Sequence, residues 1–97
     1  MKQKLQNQII YITGASAGIG LSTAELCLKE GATVVITGRN EERLNEAELI
    51  LSKTSSNVIA HLLDVSIELD LIESLNDVYK KFGRIDGLVN NAPSIHT

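Results

Sequence analysis

The chain has one cysteine and no long hydrophobic run, and each shortage excludes a class of protein. Cys27 has no second cysteine to pair with, which rules out an internal disulfide framework and fits a reducing compartment. No apolar run approaches the roughly 20 residues of a membrane span. The N-terminus also lacks the hydrophobic region of a signal peptide. We therefore expect a soluble, cytoplasmic protein that makes no contact with a membrane.

Basic residues and aromatic residues are also few. Nine Lys and Arg residues against 12 Asp and Glu residues give a net charge of −3, so nucleic acid is not an expected partner. Aromatic residues make up only 3% of the chain and hydrophobic residues 43%, so the core must be built from Ile, Leu, Val and Ala. The length of 97 residues supports one small domain.

Short β-branched runs alternate with segments of helical periodicity. Asn40 and Ser66 are predicted to cap the second and third helices, and Gly31 and Gly83 are predicted to follow the first and third. The predicted strands are Ile9–Thr13, Thr33–Thr37, Asn57–Leu63 and one that begins at Leu88. The predicted helices are Ile19–Glu30, Glu41–Leu51 and the segment between Ser66 and Gly83.

The order βαβαβαβ predicts an α/β fold with a parallel sheet, because crossover helices join strands that pair in parallel. The expected strand order is 3-2-1-4. In that order the chain changes direction across the sheet between strands 1 and 4. Ligands of open α/β sheets bind at such a switch point, at the carboxyl ends of the strands.

Three glycines follow the first strand, in the segment Thr13-Gly14-Ala15-Ser16-Ala17-Gly18-Ile19-Gly20. A backbone without Cβ atoms can turn sharply and come close to a ligand, and the N–H groups of the first helical turn can bind an anion. Glycine clusters also serve ordinary tight turns. Because this loop leaves strand 1 at the switch point, we favour a phosphate-binding loop, with a pyrophosphate as the expected ligand.

Arg39 follows strand 2, where proteins that bind NAD commonly have an acid that holds the ribose 2′-hydroxyl. A carboxylate would repel a 2′-phosphate, whereas a guanidinium can bind one through paired hydrogen bonds. The sequence therefore predicts NADP(H) in preference to NAD(H). The alternative is that Arg39 only begins the next helix and pairs with Glu41 or Glu42.

Polar residues also follow strands 3 and 4. Asp64 could accept a hydrogen bond from an adenine amino group, or it could cap the next helix in competition with Ser66. The pair Asn90-Asn91 could satisfy loop backbone groups and line a ribose pocket, although such pairs on their own more often form turns.

Taken together, these segments resemble the short-chain dehydrogenase/reductase family, over about residues 7 to 92. The glycine segment is similar to the TGxxxGIG cofactor loop of the family, Asp64-Val65 to its adenine-site motif, and Asn90-Asn91-Ala92 to its NNAG motif. The resemblance implies a partial Rossmann fold, a doubly wound parallel sheet, that forms an NAD(P)-binding domain over residues 1–97. Asn90 is implied to brace the central strands. The implied cofactor-binding residues are Gly14, Ser16, Ala17, Gly18, Ile19, Gly20, Arg39, Asp64, Val65, Asn91 and Ala92.

The chain departs from the family pattern in two places. Pro93 stands where the family has the last glycine of NNAG, and its fixed φ and missing N–H lead us to expect a redirected loop. The family transfers hydride with a Ser, a Tyr and a Lys, the last two spaced YxxxK, beyond the NNAG motif. The only tyrosines here, Tyr11 and Tyr79, are followed four residues later by Ala15 and Gly83.

Two functions therefore remain open. The chain is either the NADP(H)-binding portion of an oxidoreductase that acts on a carbonyl or alcohol, or a non-catalytic nucleotide-binding module or truncated remnant. Because the family's catalytic residues lie beyond strand 4, we expect no turnover by the purified chain. Strand 4 should be an exposed sheet edge, through which we expect self-association, either as a dimer or as aggregates. His61, on strand 3, is expected to be a structural residue with its hydrogen bonds satisfied.

Overall fold

Strands and helices alternate through the part of the chain that the structure covers. The computed structural model describes residues 4–16 and 18–91. Within those residues the order is βαβαβαβ, which confirms the predicted α/β fold. The strands are β1 (Ile9–Thr13), β2 (Thr33–Gly38), β3 (Val58–Leu62) and β4 (Gly87–Asn90). The helices are α1 (Gly18–Lys29), α2 (Glu41–Ser52) and α3 (Glu68–Phe82).

The four described strands form one parallel sheet in the order β3-β2-β1-β4, as predicted. Tyr11 of β1 is in register with Val35 of β2 on one side and with Leu88 of β4 on the other. The carboxyl ends of all four strands consequently lie at one edge of the sheet. The switch point expected between strands 1 and 4 lies at this edge, next to the loop that follows β1.

Helices cover both faces of the sheet. Ile10, Ile12 and Ile36 face α1 and α2 in one buried cluster, and Tyr11 and Val35 face α3 in the other. Because β1 and β2 are covered on both faces, they are continuous apolar runs rather than alternating ones. The prediction of an aliphatic core is confirmed except for Tyr11, an aromatic residue that is fully buried.

A hydrogen-bond network makes the buried position of Tyr11 possible. The Tyr11 hydroxyl oxygen lies 2.6 Å from Ser74 Oγ, and Ser74 Oγ lies 2.6 Å from His61 Nδ1. Burial raises the pKa of Tyr11, and the hydrogen bond to Ser74 offsets part of that rise. The network joins β1, α3 and β3, and it gives His61 the satisfied hydrogen bond that was predicted.

Local capping signals were reliable for α1 and α2. Asn40 Oδ1 accepts a hydrogen bond from the Arg43 N–H at 3.0 Å, which confirms the prediction that Asn40 is the N-cap of α2. After α1, the Gly31 N–H donates to the Leu28 carbonyl at 3.1 Å, and the Ala32 N–H donates to the Cys27 carbonyl at 3.0 Å. This pair of bonds is a Schellman motif with Gly31 at the predicted position.

The prediction that Ser66 caps α3 was wrong. The N-cap is Ile67, and no side chain caps that end of the helix. Ser66 is engaged elsewhere, because its N–H and its hydroxyl both donate to Asp64 Oδ1, at 2.9 and 2.6 Å. The two residues form an Asx turn that precedes the helix by one residue.

No helix among the described residues is long and apolar enough to cross a membrane.

Candidate functional site

The predicted site residues lie where the strands end. The glycine loop follows β1, Arg39 follows β2, Asp64 and the half-buried Val65 come two and three residues after β3, and Asn91 follows β4. Parallel pairing places all of these positions at one edge of the sheet, which is the edge where open α/β sheets bind ligands. Three residues of the predicted site region, Ala17, Ala92 and Pro93, lie outside the described residues.

Glycines determine the shape of the loop between β1 and α1. Gly14 and Gly18 have φ angles of 68° and 62°, in the left-handed region that favours glycine. A Cβ at Gly18 would find no atom within 4 Å, so that position is open. A Cβ at Gly20 would lie 2.5 Å from the Gly14 carbonyl oxygen, so only glycine allows α1 to pack this closely on the loop. Ser16 is half-buried in the loop, and Ile19 is exposed.

The amino end of α1 differs in charge from the other helix starts. The first N–H groups of any helix lack a partner within the helix, and the helix dipole makes this end positive. No acidic residue lies in the first turn of α1. The other two helices each have two acids there, Glu41 and Glu42 in α2 and Glu68 and Asp70 in α3. Of the three described helices, α1 is therefore the one whose positive end is not already neutralised by acidic side chains of its first turn.

Arg39 and Asp64 form an ion pair beyond the ends of β2 and β3. Arg39 Nη1 lies 4.0 Å from Asp64 Oδ2, and the two side chains are 71% and 32% exposed. The Leu63 N–H donates to the Gly38 carbonyl at 2.9 Å, which extends the backbone pairing to the residues just before the pair. Within the described residues, Arg39 therefore pairs with Asp64 rather than with Glu41 or Glu42, the partners of the alternative prediction.

The Asp64 carboxylate is held in place by Ser66. Its Oδ1 accepts both Ser66 hydrogen bonds, and these hold the pKa of Asp64 below its ordinary value, with a smaller contribution from the charge of Arg39. Asp64 is therefore ionised at neutral pH. The alternative prediction that Asp64 caps α3 was also wrong, because its carboxylate binds Ser66 and the helix begins only at Glu68.

The two asparagines at the end of β4 have different environments. Asn90 Oδ1 accepts a hydrogen bond from Thr13 Oγ1 at 2.9 Å, which ties β4 to β1 as the resemblance implied. The Asn91 N–H donates to the Thr13 carbonyl at 3.2 Å. Asn91 Nδ2 is buried and has no hydrogen-bond partner among the described residues. A buried donor without an acceptor costs about 1 to 3 kcal/mol, so an acceptor on a ligand would be stabilised at this point.

Sequence reasoning missed two of these features. It treated Arg39 and Asp64 as separate candidates, although the predicted neighbour relation of strands 2 and 3 was a signal that residues following them would lie close together. It also treated Ser66 as a competitor of Asp64 for the helix cap. The short Asp-x-Ser spacing, which is typical of an Asx turn, was the available signal for the hydrogen bonds observed.

Known proteins are similar to this chain over nearly its whole length. The family model described as short chain dehydrogenase matches residues 8–96. The uncharacterized oxidoreductase YxnA of Bacillus subtilis is 43% identical over 90 residues, which are 93% of this chain and 25% of the relative. The structure of NAD+-bound xylitol dehydrogenase matches with a TM-score of 0.88 at 32% identity, over 94% of this chain and 35% of that one.

A second solved structure contains the other nicotinamide cofactor. L-sorbose reductase from Gluconobacter frateurii, in complex with NADPH and L-sorbose, matches with a TM-score of 0.87 at 37% identity, over 97% of this chain and 36% of that one. The chain thus spans between a quarter and about two fifths of the length of the proteins it matches. These matches agree with the Rossmann fold described above, in a family that binds nicotinamide dinucleotides, and they include both NAD and NADP complexes.

Proposed function

This chain belongs to the short-chain dehydrogenase family, and from that premise we propose that it binds NADP(H) and forms the cofactor-binding portion of an oxidoreductase. The observation that carries the proposal is the glycine loop, in which Gly18 is open and Gly20 lies against Gly14, at the carboxyl end of β1. When bound, the cofactor supplies or accepts a hydride. The residues of this chain hold its adenosine and pyrophosphate.

Three features of the structure support a dinucleotide at this edge of the sheet. The loop is open at Gly18, the positive end of α1 has no acid in its first turn, and Asn91 Nδ2 is a buried donor without an acceptor among the described residues. We assign the pyrophosphate to the loop, adenine to the end of β3, and a ribose to the end of β4. The proposed contacts are Gly14, Ser16, Ala17, Gly18, Ile19 and Gly20 for the pyrophosphate, Asp64 and Val65 for adenine, and Asn91 and Ala92 for the ribose.

The preference for NADP(H) over NAD(H) is proposed from Arg39. Its side chain is 71% exposed, and its ion pair with Asp64, at 4.0 Å, is longer than a hydrogen bond. The donors of the guanidinium therefore remain available to a 2′-phosphate. The position before it is Gly38, so no carboxylate from that residue repels the phosphate or holds the 2′-hydroxyl of NAD.

Binding of matched ligand pairs to this chain tests the preference. We expect tighter binding of NADP+ than of NAD+, and of 2′,5′-ADP than of 5′-AMP, by isothermal titration calorimetry. The variant Arg39→Gln should remove roughly 10- to 100-fold of this preference, as expected for a charge-assisted bond to phosphate. Arg43→Gln is the matched control, since it makes the same charge change at a residue in the first turn of α2. Equal or weaker binding of the 2′-phosphorylated ligands to the unmodified chain would contradict the proposal.

Hydride transfer between NADP(H) and a carbonyl or an alcohol is the activity that we propose for the whole protein. The alternative function is a non-catalytic module that binds an adenine nucleotide. The two are separated by following NADPH absorbance with a panel of ketones, using this chain and a protein that extends to the full length of its relatives. Consumption by the longer protein, lost in Arg39→Asp, would support the oxidoreductase. Binding without consumption by either would support the module.

We also propose that β4 lets this chain associate with a second copy. Within the described residues, β4 pairs only with β1, so its other side presents unpaired backbone groups, and Leu88 on this strand is 60% exposed. Such an edge is a template for strand pairing. Sedimentation velocity should show a dimer that Leu88→Lys disrupts. Leu49→Lys, at a similarly exposed position of α2, should leave the dimer intact. A stable monomer of the unmodified chain would contradict this proposal.

A further inference from the structure

The two carboxylate oxygens of Asp64 have different partners. Oδ1 accepts two hydrogen bonds from Ser66, at 2.9 and 2.6 Å, which fix the orientation of the carboxylate. Oδ2 is left as the oxygen nearest Arg39, 4.0 Å from Nη1. The ionised Asp64 carboxylate is therefore held next to Arg39, the side chain to which we assign the 2′-phosphate.

We propose that Asp64 is a specificity-determining residue that limits the preference for a 2′-phosphate, because its carboxylate competes with that phosphate for the Arg39 guanidinium. This inference rests on the proposed function and deepens it. The proposed role of Asp64 at adenine concerns every adenine nucleotide. The competition concerns only those that carry the additional phosphate, so the two roles are separable by measurement.

Backbone pairing keeps the two residues close enough for this competition. The hydrogen bond between the Leu63 N–H and the Gly38 carbonyl holds the backbones of the two loops together just before Arg39 and Asp64. A 2′-phosphate that binds Arg39 therefore comes close to the Asp64 charge. A phosphate and Asp64 then share the charge of one guanidinium and repel each other as two anions, and both effects oppose the phosphate.

The opposite effect, in which Asp64 improves phosphate binding by orienting Arg39, is disfavoured by the geometry. The separation of 4.0 Å exceeds hydrogen-bond length, and Arg39 remains 71% exposed, so the pair restricts the long arginine side chain only weakly. The repulsion needs no such contact, because it acts over several ångströms at low ionic strength. The net effect of the Asp64 charge is therefore to weaken 2′-phosphate binding.

The test is the ratio of the affinities for 2′,5′-ADP and 5′-AMP in Asp64→Asn. Contacts to adenine are common to the two ligands and cancel in the ratio. Asparagine keeps an oxygen that can accept the Ser66 hydrogen bonds, so the Asx turn is retained. We expect the ratio to rise about 3- to 10-fold at low salt. The rise should be smaller in an Arg39→Gln background, where competition for the guanidinium is gone.

A control variant shows whether the effect is specific to Asp64, and two different outcomes would contradict the inference and the proposed function separately. Asp77→Asn makes the same charge change at an exposed position of α3, and should leave the ratio unchanged. If the unmodified chain prefers 2′,5′-ADP but Asp64→Asn leaves the ratio unchanged or lowers it, the inference is overturned and the proposed function stands. If the unmodified chain, with a native thermal transition, binds neither ligand, the proposed function itself is overturned.

Discussion

The glycine loop after β1 and the charged pair after β2 and β3 lie at the same edge of the sheet, but they are built differently. In the loop, backbone packs on backbone, and a Cβ at Gly20 would come within 2.5 Å of the Gly14 oxygen. In the charged pair, an exposed arginine side chain and a partly exposed aspartate side chain face each other at 4.0 Å. Under the proposed function, shape decides whether a dinucleotide binds, and exposed charge decides which one. We therefore expect substitutions in the glycine loop to reduce stability, and substitutions in the charged pair to change ligand preference with little effect on stability.

A glycine-to-alanine substitution in each region should give the largest difference, measured as the loss in the free energy of unfolding. Gly20→Ala places Cβ against the Gly14 carbonyl, and we expect a loss of about 2 to 3 kcal/mol in the free energy of unfolding. Binding of 5′-AMP and 2′,5′-ADP should both weaken at least about tenfold, because the phosphate loop must shift. Urea unfolding and calorimetry measure the two effects.

Gly38→Ala is the matched variant in the charged region. Its Cβ would meet the Leu44 side chain at 3.4 Å, an ordinary contact, and its φ lies outside the left-handed region. We expect a change within about 0.5 kcal/mol. Equal losses of stability in the two alanine variants would show that the loop is no more constrained by shape than the end of β2 is.

Ionic strength should have a smaller effect, and it should act on ligand preference in the charged pair but not on stability in the glycine loop. Raising ionic strength from about 0.01 to about 1 M shortens the screening length from about 30 to about 3 Å. The ratio of the 2′,5′-ADP and 5′-AMP affinities should therefore fall several-fold, because Arg39 is exposed. Stability lost through Gly20→Ala should not respond, since a steric contact carries no charge. A ratio that is independent of salt would place the 2′-phosphate away from Arg39.

Acid should give the smallest effect, in the charged region and not in the glycine loop. Folding lowers the pKa of Asp64, through the Ser66 hydrogen bonds first, so its contribution to stability is present above the unfolded pKa of about 3.9. That contribution is lost as pH falls through the lower folded pKa. The difference in unfolding free energy between the unmodified chain and Asp64→Asn should therefore vanish below that range. A difference that is constant from neutral pH into strong acid would contradict this.

Asp86 provides a positive control for the acid experiment. Its pKa is lowered first by the hydrogen bonds from Arg84 and then by the bond that its Oδ2 accepts from the Ile9 N–H, at 2.7 Å. Asp86→Asn should therefore show the same direction of pH dependence at the start of β1, away from the charged pair. Its agreement with Asp64→Asn would show that the method detects a lowered carboxylate pKa in this chain.

Much of the fold was predictable because its signals are local. The alternation of β-branched runs with helical periodicity predicted every described strand and helix, and the rules for crossover connections predicted the order 3-2-1-4. Asn40 and Gly31 were placed correctly because capping depends on a few neighbouring residues. Ser66 failed as a cap because a competing acceptor, Asp64, lies two residues away and takes both of its donors.

The sequence by itself determined the element order, the family resemblance and the identity of the residues at the strand ends. Only the tertiary structure decided how those residues meet. It placed Arg39 against Asp64, set Gly20 against Gly14, joined buried Tyr11 to Ser74, and left Asn91 Nδ2 without a described partner. The physical reason is range. Periodicity and capping act within a turn or a strand, whereas contacts between loops depend on the register in which distant strands pair.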